Sequence, residues 1–177
     1  KSWNPMSDFR FAHSYNGADQ PVQVLAKRDL DGDGTDDPVS LNYSINGGPT
    51  LSADTAEWEG GDRYGDAGDL YYHIVRGSVT GASAGDTVKV WFTGAGQSSD
   101  SFTFEVVTDA PKDVLVVAAE DYTGTSNVPA YDATAGPHYL DYYTDALTAN
   151  GKTFDVYDVD ARGRTAPDHL GVLGHYD

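Results

Sequence analysis

VLVVAAE at residues 114–120, PHYLDYYTDALTANG at 137–151, TFDVYDV at 153–159 and APDHLGVLGHYD at 166–177 read as strand, helix, strand, helix. Strands that alternate with helical segments predict a parallel sheet. Two parallel strands cannot cover their own faces and edges, and such sheets are normally buried on both sides. The pattern therefore calls for a third apolar strand after Asp177, which makes residues 110–177 the N-terminal part of an incomplete α/β domain. The first helix is placed at 137–150. Pro137 suits a first helical position, Leu140, Tyr143 and Leu147 share a face, and Gly151 suits the position just past the end.

Working back towards the N-terminus, the pattern changes to all-β. PVQVLAKR (21–28), PVSLNYSI (38–45), LYYHIVRGSV (70–79), TVKVWFT (87–93) and SFTFEVV (101–107) are rich in β-branched and aromatic residues, and Gly/Asp/Ser clusters separate them. In TVKVWFT, Val88, Val90 and Phe92 alternate with Thr87, Lys89 and Trp91, the period of a half-buried strand. SFTFEVV puts Phe102, Phe104 and Val106 on one face. Strands at this spacing without helices between them predict a β-sandwich of immunoglobulin-like type over residues 1–109, with Trp91 a candidate core anchor. The polar, proline-bearing stretch Thr108–Asp113 marks the boundary. The whole is mostly β: a sandwich followed by a parallel-sheet unit.

Charge narrows the partners. The chain carries 28 acids against 11 bases, a formal charge of −17, and both parts share the excess. That sign argues against nucleic-acid binding, which needs basic patches, and against an anionic membrane surface. No apolar run approaches the roughly 20 residues of a membrane span. There is no cysteine, so disulfides, thiolate metal sites and cysteine nucleophiles are excluded.

The sharpest local chemistry is DLDGDGTDD at 29–37. Carboxylates at alternate positions converge when the backbone curls around a hard cation, and glycines permit the curl. Asp29, Asp31 and Asp33 are candidate side-chain ligands, Thr35 a backbone carbonyl ligand, and Asp37 a direct or water-mediated one. A helix–loop–helix hand needs a bidentate acid at the twelfth position, where this chain has Ser40, and the flanks are β-like. A structural calcium ion clasped by a loop between two strands is the expectation; a solvated acidic turn is the alternative.

A second acidic stretch, Glu57–Asp69, could shape a ligand groove or another ion site, or be a long loop packed by its own aromatics. Trp58, Tyr64, Tyr71 and Tyr72 could stack sugars or serve as packing. Catalytic constellations are poor. The five histidines form no His-Glu-x-x-His pair, and there is no Gly-x-Ser-x-Gly elbow or glycine-rich phosphate loop. Asp121 and Tyr122 follow the strand at 114–118, where open α/β sheets place ligands, but a structural role is the expectation for them.

The stretches DVLVVAAEDYTG (113–124), YTDALTANGKTFDVYDVDARGR (143–164) and APDHLGVLGHYD resemble the region downstream of the catalytic domain in large secreted actinobacterial zinc carboxypeptidases, of the carboxypeptidase A-like metallopeptidase family. KSWNPMSDFRFAHSYNG (1–17), the 29–37 loop, GASAGDTVKVWFTGAG (81–96) and SDSFTFEV (99–106) are similar to the accessory domain between that catalytic domain and the α/β region. The resemblance implies a parent enzyme in which a zinc-bound water attacks the C-terminal peptide bond of a peptide. The family's zinc ligands, a His-x-x-Glu pair and a later His, have no counterpart in these residues, so no catalytic residue is carried over. It further implies an extracellular accessory segment whose partners are the upstream catalytic domain and the remainder of the α/β domain. Two other classes stay open: an extracellular module binding cell-wall glycan or another surface ligand, and an α/β half of amidotransferase type with its active site beyond Asp177.

Overall fold

The computed structural model describes residues 3–4, 9–58, 72–124 and 136–176. The chain separates into two compact units, Lys1–Ala110 and Pro111–Asp177. It is mostly β, with antiparallel and mixed sheets and one α-helix among the described residues.

The first unit contains β1 (Trp3–Asn4), β2 (His13–Ser14), β3 (Asp19–Ala26), β4 (Ser40–Ile45), β5 (Leu51–Ala53), β6 (Ala56–Glu57), β7 (His73–Thr80), β8 (Thr87–Gly94), β9 (Gln97–Ser98) and β10 (Phe102–Val106). All five strands expected from the sequence are present, as β3, β4, β7, β8 and β10. The shorter ones pair at the sheet margins, where there are too few residues for alternation to register. One sheet has the order β1-β3-β7-β6; the other runs β2-β10-β8-β4-β5, with β9 also paired to β8. Pairing is antiparallel except between β2 and β10, which run parallel with His13 opposite Glu105 and Ser14 opposite Val106.

Burial follows the period of two. Val88, Val90 and Phe92 of β8 are buried, as are Phe104 and Val106 of β10 and Leu41 and Tyr43 of β4. They face the other sheet through Val22 and Val24 of β3 and Val75 and Val79 of β7. Where the sheets approach, Gly77 leaves room for Leu41: a Cβ on Gly77 would stand 3.0 Å from Leu41 Cδ2. Tyr43 Oη reaches Thr80 Oγ1 at 3.3 Å. Phe11 packs on Phe102 and Phe104, with ring centroids 5.5 and 4.9 Å away. Trp91 is not the core anchor expected of it. Alternation sends its side chain to the opposite face from Phe92, where it is half-buried and Lys89 Nζ lies 5.9 Å from its ring centroid.

In the second unit, β11 (Val114–Ala118) pairs in parallel with β12 (Phe154–Asp158), Val114 opposite Phe154 and Ala118 opposite Asp158. Between them lies α1 (Leu140–Ala149), which buries none of its residues. The helix starts later than expected, at Leu140 rather than Pro137. The Glu120 carboxylate accepts the N–H groups of His138 (2.8 Å) and Tyr139 (2.9 Å), so these donors are satisfied from outside before the first helical turn. The expected helix over APDHLGVLGHYD is not formed; the segment is a series of turns ending in a single 3-10 turn at Leu173–His175. The Asp168 side chain captures the N–H groups of Leu170 and Gly171. These bonds cap a first turn as at a helix start, but Gly171 and Gly174 weaken helix propensity beyond it.

Candidate metal centre

The 29–37 stretch forms the connection between β3 and β4, from one sheet to the other. Three features hold it. Asp37 N–H donates to the Arg28 carbonyl at 2.7 Å, and Leu30 N–H donates to Asp37 Oδ2 at 2.7 Å, which brings the two ends of the loop together. Leu30 itself is buried and its side chain fills the space above Gly94; a Cβ there would lie 2.5 Å from Leu30 Cδ1 and 2.7 Å from the Pro38 carbonyl oxygen. Finally, Gln97 Nε2 donates to the Leu30 carbonyl at 2.7 Å from the β8–β9 hairpin.

On this base the acidic side chains curl inward. Gly32 and Gly34 take φ of +87° and +92°, the left-handed region glycine enters without steric cost. Asp29 is turned into the loop, with Oδ1 accepting from Gly32 and Asp33 N–H (2.5 and 3.1 Å) and Oδ2 accepting from Gly34 N–H (2.8 Å). Asp29, Asp31 and Asp37 each offer a carboxylate oxygen, and these oxygens lie within 4.8 Å of one another. Asp33 stands outside this group of carboxylates. Asp33 Oδ1 accepts from Thr35 N–H at 2.8 Å and Thr35 Oγ1 at 2.6 Å, and these bonds hold the Asp33 carboxyl below its usual pKa.

The donor set suits a hard cation. All three groups are anionic oxygens, which calcium takes at 2.3–2.6 Å, so two oxygens on one calcium ion stand at most about 4.6–5.2 Å apart. The observed spacing falls within that span. Of the five residues expected to bind an ion, the fold gathers Asp29, Asp31 and Asp37.

An ionic group adjoins the loop that no local sequence pattern marks, because its members are far apart in the chain. Arg28, immediately before Asp29, pairs with Glu57 of β6, and Glu57 Oε2 lies 3.4 Å from Nδ1 of His73 at the start of β7. The Arg28 hydrogen bond holds Glu57 below its usual pKa against an opposing effect of burial, with a lesser contribution from His73. Trp58 follows, 47% exposed, with the Arg76 guanidinium 3.9 Å from its ring centroid. The rest of the second acidic stretch, with Tyr64 and Tyr71, lies outside the described residues, and so does the groove or ion site expected there; Tyr72 is half-buried.

The strand ends of the second unit carry a different kind of network. Tyr122 is buried and donates from Oη to Asp158 Oδ2 at 2.7 Å. That bond, burial and the charges of Asp158 and Asp160 push its pKa up to about 12. Asp160 Oδ2 accepts from the N–H groups of Tyr122 (3.2 Å) and Thr123 (2.8 Å), while Asp158 Oδ1 accepts from those of Asp160 and Ala161. Asp121 Oδ1 closes a turn onto Gly124 N–H. Asp158 and Asp160 thus tie the turn after β11 to the end of β12, while Asp121 closes its own turn.

Compared with known proteins, the chain matches no protein family and no curated protein.

Proposed function

We propose that the chain is a calcium-stabilised, non-catalytic segment of a larger secreted protein, and that the parent is a zinc metallocarboxypeptidase. The observation supporting the calcium reading is the convergence of the Asp29, Asp31 and Asp37 oxygens on one side of an anchored loop. Calcium would be held by these three carboxylates, with Asp33 and the Thr35 carbonyl as the further oxygens of the set. It would supply charge neutralisation and tie the β3–β4 connection together; it would perform no chemistry on a substrate. The parent assignment rests on the sequence resemblance described above. In that parent, zinc belongs to the catalytic domain, the peptide substrate binds there, and the setting is extracellular.

The finer architecture belongs to the same proposal. The first unit is an immunoglobulin-like β-sandwich, supported by two facing sheets that meet at Leu41 and Gly77. The second begins an α/β domain, supported by the parallel β11–β12 pair with α1 between them. Its partner is the remainder of the parent polypeptide, which would cover apolar groups now exposed, such as Val117 (43%) and Tyr143 (64%). Nucleic acid is disfavoured by the charge of −17. Among the described residues no helix is long and apolar enough to cross a membrane.

A glycan-binding module is the second reading, favoured by the exposed Trp58 ring backed by Arg76, since aromatic faces stack on sugars. Peptide mapping of the natural protein in its culture medium separates the two. An upstream peptide bearing His-x-x-Glu contiguous with Lys1 supports the carboxypeptidase parent. A natural chain without a peptidase region, retained on cell-wall glycan, overturns it in favour of the second reading.

A further inference from the structure

We draw no further inference here: the strongest candidate, the apolar groove between β11 and α1 lined by Val114–Val117, Tyr143 and Leu147, is an uncovered face with nothing in the structure to show what covers it beyond the partner already proposed.

Discussion

Asp31→Ala is the cleanest test of the metal loop, because Asp31 contributes charge to the group but little to the fold that forms it. Asp29 accepts three backbone N–H groups and Asp37 clamps Leu30, so truncating either one dismantles the loop. Asp31 is exposed and accepts only one such bond, from Asp33 at 3.1 Å. Extracellular calcium sites bind with Kd of about 10⁻⁴–10⁻³ M. At about 10 mM free calcium, binding to the folded state alone adds about 1.4–2.7 kcal/mol. At about 4 °C per kcal/mol, the Tm of the first unit rises by about 6–11 °C between chelator and calcium. In Asp31→Ala that rise should collapse to a small fraction. In chelator the order reverses. Two like charges about 4.8 Å apart in water repel by about 0.9 kcal/mol before salt screening, so the variant melts at the wild-type temperature or slightly above it. Differential scanning calorimetry at low ionic strength, with and without calcium, reads both signs. A wild-type Tm that is the same in chelator and in calcium refutes the ion site.

Three further outcomes are expected. Gly94→Ala should lower the denaturant midpoint by an amount equivalent to about 1–3 kcal/mol, because the new methyl meets Leu30 Cδ1 and the Pro38 carbonyl; an unchanged midpoint means Leu30 does not fill that space. In an absorbance titration of tyrosinate, one tyrosine should ionise near pH 12 and be missing from Tyr122→Phe. Since the unfolded tyrosine ionises near its usual 10.0, the contribution of this bond to stability is complete below pH 10 and lost as pH rises towards 12; a variant with an unaltered titration curve contradicts the Asp158 bond. Amide exchange should be faster in α1, which buries no residue, than in β3 and β7, which pair along eight positions; equal protection would show that α1 is covered.

What could be read from the sequence tracks how local the determining forces are. β8 was legible because its own alternation specifies which residues enter the core, and Phe92 is buried while its neighbour Trp91 is not. The assignment of Trp91 to the core failed by giving weight to size over phase. β2 and β9 have two residues each and owe their existence to partners, so nothing within them announces a strand. The segment after Pro167 makes turns rather than the expected helix: Asp168 caps a first turn, but Gly171 and Gly174 weaken what would follow. In the 29–37 loop the acidic residues and glycines declared themselves, but the split between the Asp29–Asp31–Asp37 group and the Asp33–Thr35 pair depends on where each side chain turns. Leu30, which anchors the loop through contacts with Gly94 and Gln97, looks like an interruption in an acidic run until the hairpin is placed above it.

The parallel pairing of β2 with β10 has a consequence for synthesis. His13 and Ser14 find their strand partners only at Glu105 and Val106, the last strand of the first unit. A nascent chain grows at about 5–20 residues per second, so β2 must wait about 5–20 s after it is made before its partner exists. β3 likewise waits for β7. During that interval the apolar side of β3 is without its neighbour, and folding by such distant contacts is slow even once all the strands are available. The acidic loop after β3 is made early in the same interval and places repeated negative charge beside the unfinished sheet, the kind of flank that opposes association of apolar strands.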